Sequence, residues 1–281
     1  MSVLTINKLT ASVGAEVSDV DSERLGTDDG LGAAVLEALE DNGVLVFRGL
    51  QLSPEDQVAF CERLGEVDRS SDGHHPVSGI YPITLDKNKN KAADYLKAAF
   101  IWHIDGCTPT GDECPQKATV LSAVQVAAQG GETEFASAYD AYESLSAGEK
   151  QRYESLRVVH SLEASQRRTT PDPSDADLAR WRSRPASEHP LVWTHRNGRK
   201  SLVLGASADH IVGMDLDEGR QLLQELLAHA TTAEKVYSHQ WSVGDTVIWD
   251  NQGVLHRAAP YDPSSPREML RTTVNGDEPI Q

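Results

Sequence analysis

The chain of 281 residues, 39% hydrophobic and 25% charged, is long enough to bury its own core. Its formal net charge of -17 argues against nucleic acid and anionic membranes as partners, because both require a basic surface. No apolar run approaches the roughly 20 residues that span a bilayer, and residues 1–21 lack the zones of a signal peptide, so we expect a cytoplasmic protein.

The cysteines and the uniform composition along the chain bear on its disulfide bonds and on its number of domains. Cys61, Cys107 and Cys114 are expected to be free thiols, since an odd number in a chain without an export signal does not indicate a disulfide framework. Cys107 and Cys114 are close enough in sequence to pair, which is the alternative. No repeat, low-complexity linker or change of composition divides the chain, so residues 1–281 are expected to form one domain.

The first quarter of the chain alternates helix and strand signals. Residues 31–41 carry apolar side chains at helical spacing, and residues 43–48 (GVLVFR) form a short apolar run typical of a buried strand. Ser53 can serve as an N-cap and Pro54 as a first-turn proline. A helix is therefore expected to begin there and to end near Gly65.

The rest of the chain gives shorter signals. Polar residues around His74 and His75 and at residues 86–91 predict loops, and residues 167–187, rich in Arg, Pro, Asp and Ser, predict an excursion from the core. Helices are predicted at residues 138–156 and 217–231, and strands around Ile101 and at residues 118–126, 246–249 and 270–274.

One candidate metal-binding group combines two nearby residues with a distant histidine. His103 and Asp105 stand at i and i+2, and in a strand that spacing puts both side chains on one face. The pair alone is a weak signal, because it occurs by chance in many proteins. His256, just beyond an apolar strand and a polar turn, could supply a third ligand. Two histidines and one carboxylate leave open positions on a metal, as expected for Fe(II) oxygenases.

Most of the other histidines are expected to lie at the surface or in local hydrogen bonds. A single histidine without neighbouring ligand residues in a motif is rarely a metal ligand. This group comprises His160, His189, His195, His229 and His239.

Two arginines near the end of the chain are candidates for binding an anion. Arg267 follows His256 by eleven residues, and Arg271 shares its face if the stretch is extended. A buried arginine needs an anionic partner, and its planar fork matches a carboxylate. A surface salt bridge, which would suit an acidic protein, is the alternative.

Together with further short motifs along the chain, these residues resemble, in order and spacing, the taurine dioxygenase and chlorophenoxyacetate dioxygenase family of 2-oxoglutarate-dependent enzymes. The resemblance runs over nearly the whole chain. It is carried by GAEV at 14–17, DVD at 19–21, VLVFR at 44–48, LGEV at 64–67, WHID at 102–105, GGET at 130–133, WDN at 249–251, His256 and Arg267.

The resemblance implies a mainly β fold with flanking helices, a double-stranded β-helix (jelly roll, cupin-like). It also implies an Fe(II)- and 2-oxoglutarate-dependent dioxygenase that uses O2, hydroxylates a small organic molecule and releases succinate and CO2. The implied residues are His103, Asp105 and His256 for iron, Thr133 and Arg267 for 2-oxoglutarate, and Arg271 for cosubstrate or substrate. One departure is an apparent insertion at residues 107–114.

For the substrate, the resemblance points to a pocket roomier than taurine needs. His75 lies in the segment where the taurine enzyme places a substrate-binding histidine. Ser78, Ala99 and Ser207 stand where that enzyme has tyrosine, asparagine and phenylalanine. We therefore expect a small-molecule substrate other than taurine, with Arg271 favouring an anionic group.

Three alternatives remain at this point. Within the oxygenases, the enzyme could cleave sulfonates, sulfate esters or aryloxyalkanoates, because hydroxylation beside a heteroatom makes the product collapse. Outside the oxygenases, the chain could be a catalytically silent metal-binding relative. Such a relative would have no reason to keep both the metal ligands and the residues that bind 2-oxoglutarate. A jelly-roll metal isomerase or hydrolase would not need Arg267. The sequence leaves homo-oligomerisation open.

Two long segments are predicted to cover the iron site, namely residues 167–187 and the loop at residues 75–96. Both are polar and lack periodicity, and loops of that length in a compact domain are usually functional or disordered. A cover would exclude water from the reacting centre. Plain solvent-exposed loops are the alternative.

Overall fold

The computed structural model describes residues 4–70, 75–90, 93–108 and 114–281. None of the helices in these ranges is long and apolar enough to cross a membrane. The strands are β1 (Thr5–Lys8), β2 (Ala15–Ser18), β3 (Val44–Phe47), β4 (Tyr81–Ile83), β5 (Ala118–Gln125), β6 (Thr133–Ser137), β7 (Arg157–His160), β8 (Ser187–Pro190), β9 (Val192–Thr194), β10 (Lys200–Leu202), β11 (Ala208–Ile211), β12 (Val236–His239), β13 (Thr246–Asp250), β14 (Val254–Ala258) and β15 (Glu268–Val274).

Helices flank the sheets. They are α1 (Ser22–Leu25), α2 (Asp29–Asn42), α3 (Pro54–Leu64), α4 (Ala138–Glu143), α5 (Ala147–Tyr153), α6 (Leu162–Arg167), α7 (Asp175–Arg182) and α8 (Leu216–Ala230), with 3₁₀ helices at Ala93–Phe100 and Ala233–Lys235.

The fold is mainly sheet, with the helices packed outside. A seven-stranded sheet has the order β1-β2-β3-β13-β5-β15-β4, and a three-stranded sheet the order β12-β6-β14. Two smaller sheets, β11-β7-β8 and β10-β9, complete the strands. Strands β3 and β13 are buried along their whole length, because helices or a second sheet cover both faces.

The predicted N-terminal elements are confirmed. In α2, Asp28 accepts a hydrogen bond from the backbone of Leu31, and the helix ends at Gly43, whose φ of 69° suits glycine. Ser53 caps α3 in the predicted way. The apolar faces of both helices pack against β3, where Phe47 and Phe60 meet edge to face at 6.2 Å. These elements form because capping and apolar spacing agree.

The later predictions are confirmed with two corrections. The predicted strands at 118–126, 246–249 and 270–274 and the helix at 217–231 correspond to β5, β13, β15 and α8. The strand around Ile101 is wrong, because a 3₁₀ helix, Ala93–Phe100, runs up to it and only an isolated bridge follows. Its sequence, ADYLKAAF, lacks the β-branched residues that favour strands. The helix predicted at 138–156 is two helices, because Ser146 and Glu149 form a capping box that starts α5.

Residues 167–187 are folded rather than a bare loop. They contain α7, whose Trp181 is buried, and the Glu163 carboxylate pairs with both Arg167 and Arg182 at 2.9 and 2.7 Å. Cys61 and Cys107 are buried free thiols, as predicted. The covering role of residues 167–187 and 75–96 stays a prediction. His74, residues 91–92 and most of the insertion at 107–114 lie outside the described residues.

Candidate active site

His103 and His256 lie side by side where two segments pair. The backbone N–H of His103 donates to the carbonyl of His256 at 3.0 Å, and the N–H of His256 donates back at 2.9 Å. This isolated antiparallel bridge joins β14 to the segment after the first 3₁₀ helix. It holds the two imidazole centroids 4.2 Å apart.

Asp105 faces both imidazoles from the turn that follows. Its Oδ1 lies 3.6 Å from Nε2 of His103, and its Oδ2 lies 3.7 Å from Nε2 of His256. One ligand atom from each of the three residues lies within 4.8 Å of the other two. This donor set, two nitrogens and a carboxylate oxygen gathered on one side, suits Fe(II) and leaves positions for other ligands.

The far nitrogens of both imidazoles face backbone carbonyls. Nδ1 of His103 lies 2.7 Å from the carbonyl oxygen of Ile101, and Nδ1 of His256 lies 3.5 Å from that of Val254. A proton on Nδ1 is satisfied there, which leaves the Nε2 lone pair of each ring for a metal.

The electrostatics of the group favour its deprotonated state. Burial and the neighbouring His103 lower the pKa of His256 to about 3. Burial by itself raises the pKa of Asp105, but His256 and His103, with Arg271 and a hydrogen bond from Thr119, lower it below its ordinary value. Both groups are therefore deprotonated near neutral pH, which is the state that binds a cation.

Gly205 lets a distant loop approach the backbone of His103. Its φ is 113°, and a Cβ there would lie 2.8 Å from Cα of His103 and 3.0 Å from the carbonyl of Trp102. The next residue, Ala206, donates its N–H to that carbonyl at 2.9 Å. Glycine is therefore required here by both conformation and space.

Arg267 is buried close to this group, with a relative exposure of 3%. Its Nη2 donates to the carbonyl of Gly131 at 3.1 Å, and its guanidinium lies 5.0 Å from the ring centroid of Tyr261. Burial lowers the pKa of Arg267, and Tyr261 opposes that shift. Within the described residues it forms no ion pair, so it is a buried cation that fits an added carboxylate.

Thr133 lies in β6, and its hydroxyl oxygen accepts one hydrogen bond. The indole N–H of Trp241 donates to Thr133 Oγ1 at 3.0 Å. Because that oxygen is already the acceptor, the hydroxyl hydrogen of Thr133 is free to donate to another group.

Two adjoining cavities meet at the candidate metal-binding group. The inner cavity, of about 90 Å³, is lined by Thr133, Arg267 and the three candidate ligands, with Leu121 and Trp249 among its apolar walls. The outer cavity, of about 240 Å³, shares five of these lining residues. The shared residues are Leu96, Ala99, His103, Asp105 and Arg271. A larger groove of about 780 Å³ at residues 126–130 and 260–266 holds none of the candidate ligands, so chemistry rather than volume locates the site.

The predicted substrate residues divide into two sets. Ala99, Ser207 and Arg271 line the outer cavity. His75 and Ser78 line neither cavity: the ring of His75 accepts the N–H of Val77, and the carbonyl of Ser78 accepts from Arg69. The substrate roles of all five predicted residues stay predictions.

Sequence reasoning missed the residues that support the site from behind. Trp241 contacts Thr133, Tyr261 lies under Arg267, and Gly205 packs on His103. His160 contacts Ser207, 47 residues away, although it was expected to lie at the surface or in a local hydrogen bond. The only signals in the sequence were the residue types themselves, since each contact joins distant segments.

Comparison with known proteins agrees with this geometry. A family model described as "Taurine catabolism dioxygenase TauD, TfdA family" matches residues 5–273. The alpha-ketoglutarate-dependent 2,4-dichlorophenoxyacetate dioxygenase of Cupriavidus pinatubonensis is 36% identical over 292 residues, with 99% of each chain covered. The (S)-phenoxypropionate/alpha-ketoglutarate-dioxygenase of Sphingobium herbicidovorans is 32% identical, with 97% of this chain and 95% of that protein covered.

A solved structure agrees as well. The crystal structure of AAD-2 in complex with Mn(II) and N-oxalylglycine superposes with a TM-score of 0.82 at 32% identity, covering 99% of this chain and 100% of that one. The chain belongs to the TauD, TfdA family of dioxygenases. It is an oxidoreductase that depends on Fe(II), 2-oxoglutarate (α-ketoglutarate) and O2 and acts on small molecules, as the sequence predicted.

Proposed function

We propose that the protein oxidises a small organic carboxylate held in the outer cavity beside Fe(II). His103, Asp105 and His256 are the iron ligands in this proposal. Arg267 binds the far carboxylate of 2-oxoglutarate in the inner cavity, and Arg271 binds the anionic group of the substrate. The observation that carries the proposal is the buried Arg267, which has no carboxylate partner in the described chain and shares a cavity with the three candidate ligands.

The contacts around the inner cavity support the cosubstrate site. A buried guanidinium binds a carboxylate through two parallel hydrogen bonds. Arg267 is held in place by the Gly131 carbonyl and by Tyr261, and a Cβ on Gly131 would come within 2.9 Å of its Nε. Thr133 supplies a second donor to the same carboxylate. N-oxalylglycine and Mn(II) in the AAD-2 structure stand in for 2-oxoglutarate and Fe(II).

When bound, Fe(II) and 2-oxoglutarate supply oxidation by O2 coupled to the release of succinate and CO2. The protein's own residues bind and orient the reactants. The backbone carbonyls behind His103 and His256 fix the imidazoles, and Arg267 fixes the cosubstrate. The apolar side chains of Leu96 and Leu121 help to exclude water from the inner cavity.

Arg271 is the basis for a carboxylate substrate. It lines both cavities, and its buried Nε has no hydrogen-bond partner among the described residues. Its guanidinium lies 5.0 Å from the ring centroid of Tyr81, which leaves the outer side of the cation for an anion. Two relatives are named for aryloxyalkanoates, so we propose a carboxylate of that kind as the substrate class. Sulfonates and sulfate esters are the second candidate, since Arg271 would suit their anionic groups equally well.

The test is substrate-stimulated release of succinate. Phenoxyacetate should stimulate succinate formation and yield phenol and glyoxylate, because hydroxylation beside the ether oxygen gives a hemiacetal that collapses. The uncharged analogue 2-phenoxyethanol should give no stimulation, and taurine should give none either. Stimulation by alkyl sulfates and by no aryloxyalkanoate would favour the second candidate instead.

Trp241 provides a separate test of the 2-oxoglutarate site. Trp241→Phe keeps the aromatic packing but removes the N–H donated to Thr133. We expect the KM for 2-oxoglutarate to rise by about 3- to 10-fold, the effect of losing one neutral hydrogen bond, with kcat little changed. Calorimetric titration of the anaerobic iron protein with 2-oxoglutarate should show the same weakening. Trp181→Phe is the control, since its indole nitrogen has no hydrogen-bond partner in the described chain. An unchanged KM in Trp241→Phe would contradict the role.

We further propose that the seven-stranded sheet and the β12-β6-β14 sheet are the two walls of a double-stranded β-helix (jelly roll). The support is the chain path, because successive strands β13, β14 and β15 alternate between the two sheets. A single domain spanning residues 1–281 is part of this proposal. A cytoplasmic location is supported by the free thiols of Cys61 and Cys107.

A further inference from the structure

One hydroxyl in the outer cavity is tied to a buried imidazole. Ser207 lines the cavity, and its Oγ lies 2.9 Å from Nδ1 of His160. His160 ends β7 and is completely buried, with 0% exposure. It is not among the residues that line the cavity, so Ser207 is its hydrogen-bonded link to that cavity.

The tautomer of His160 follows from its other nitrogen. Nε2 is buried and has no hydrogen-bond partner in the part of the chain that the structure describes. A proton on Nε2 would be a buried N–H without an acceptor, which proteins avoid more strictly than an unpaired acceptor. The proton of the neutral ring therefore sits on Nδ1 and is donated to Ser207.

The surroundings keep this imidazole neutral. Burial and the neighbouring His189 lower the pKa of His160 to about 3. The two ring centroids are 5.6 Å apart, and His189 has the same arrangement: a hydrogen bond to the backbone of Cys107 and a buried Nε2 without a partner in the described chain. Two uncharged rings thus stand behind one wall of the cavity.

The backbone around Ser207 is fixed from outside. Arg168 donates to the carbonyl of Ala206 at 3.0 Å and to that of Ala208 at 3.1 Å. The carbonyl of Ser207 itself accepts the N–H of Ser161 at 2.9 Å. Because the backbone is held, only the side chain of Ser207 can change its orientation by rotation. Since its oxygen accepts from His160, its hydrogen is left to donate into the cavity.

We infer that Ser207, positioned by His160, is a hydrogen-bond donor that selects substrates carrying an acceptor group in addition to the anionic group. Ser207 touches the substrate, and His160 is a positioning residue. The acceptor is an uncharged oxygen such as a carbonyl. This inference rests on the proposed function, in which Arg271 binds the anionic group in the same cavity.

The inference gives the cavity a way to discriminate between molecules of one shape. A site built to donate a hydrogen bond rejects an analogue that lacks the acceptor, because the buried donor is left unpaired. The other cavity serines differ from Ser207 in their contacts. Ser161 caps α6 by accepting from Ala164, and no imidazole contacts the hydroxyl of Ser165 among the described residues.

The experiment compares isosteric probes on the anaerobic enzyme loaded with Fe(II) and 2-oxoglutarate. Acetylphenoxyacetates and isopropenylphenoxyacetates have the same shape, but only the acetyl group carries an acceptor. Ortho, meta and para isomers of each are titrated, so that one of them brings the acceptor to Ser207. For at least one isomer, wild type should bind the acetyl compound about 3- to 10-fold more tightly than its partner, as for one hydrogen bond.

Variants assign that preference to the two residues. Ser207→Ala should bring the ratio of dissociation constants to about 1 without weakening the binding of the isopropenyl compound. Ser165→Ala should keep the wild-type ratio. His160→Phe should reduce the ratio, and His160→Asn, which can place an amide N–H near the Nδ1 position, should restore part of it. A purely structural role of His160 would not give that recovery.

A second readout is independent of any substrate. The ¹⁵N chemical shifts of histidine-labelled, zinc-substituted protein, assigned with His160→Asn, should report a neutral His160 protonated on Nδ1. A proton on Nε2 would overturn the inference. Binding of the probes with equal affinity for every pair would also overturn it while leaving the proposed function standing. If no phenoxyacetate bound at all, both the substrate class and the inference would fail.

Discussion

Asp105→Ala is expected to abolish turnover, lowering kcat/KM by more than about 100-fold. Even a group that only hydrogen-bonds to a metal ligand typically contributes about 10- to 100-fold, and the loss of a ligand itself removes more. His103 and His256 alone would hold Fe(II) through two neutral nitrogens, without the negative charge that Asp105 supplies between them. The measurement is succinate release together with a titration of Fe(II) binding by the purified variant.

Asp217→Ala is the matched control for this experiment. It removes the same charge from an exposed position in the first turn of α8, away from both cavities. The thermal unfolding midpoint of each variant separates loss of the metal site from loss of the fold. Full activity in Asp105→Ala, with iron bound as tightly as in wild type, would show that another residue completes the ligand set.

Parts of the fold with strong local signals could be predicted from the sequence. Helices α2, α3 and α8 combine apolar spacing with side-chain caps, and strands β3 and β13 are short apolar runs. In each of these elements the local propensity and the tertiary environment favour the same structure. Such agreement lets periodicity alone find the element.

The strands of the smaller sheets carry no such signal. β8 has the sequence SEHP and β12 the sequence VYSH, each four residues long and rich in polar groups. They are strands because a neighbouring strand pairs with them, and that pairing depends on the whole fold. For the same reason the segment around Ile101 does not form a strand beyond the single bridge of His103 with His256.

The candidate site shows the same division. His103 and Asp105 are two residues apart and could be paired from the sequence. His256 and Arg267 were also candidates from their own sequence contexts, and the family motifs then gave each a role. The supporting contacts could not be found that way, because Trp241 reaches Thr133 across 108 residues of sequence. A hydrogen bond over such a separation is a property of the folded chain, and one sequence holds no periodicity that reports it.

Arg267→Ala is expected to raise the KM for 2-oxoglutarate by about 30-fold or more. Removing one partner of a buried charged pair costs about 2–5 kcal/mol, much of it from the other charge left unpaired. Here that charge would be the far carboxylate of 2-oxoglutarate, facing Gly131 and Tyr261 without a cation. Arg267→Lys should recover little, since an ammonium cannot make the two parallel hydrogen bonds of a guanidinium.

The affinity for Fe(II) distinguishes this effect from damage to the metal site. A guanidinium stays protonated and has no lone pair to offer a metal, so iron binding in Arg267→Ala should match wild type. Arg24→Ala, at an exposed position in α1, is the control for removing a positive charge. Arg271→Ala should weaken the binding of the substrate rather than the binding of 2-oxoglutarate. If Arg267→Ala left the dependence on 2-oxoglutarate unchanged while Arg271→Ala destroyed it, Arg271 and not Arg267 would be the residue that binds 2-oxoglutarate.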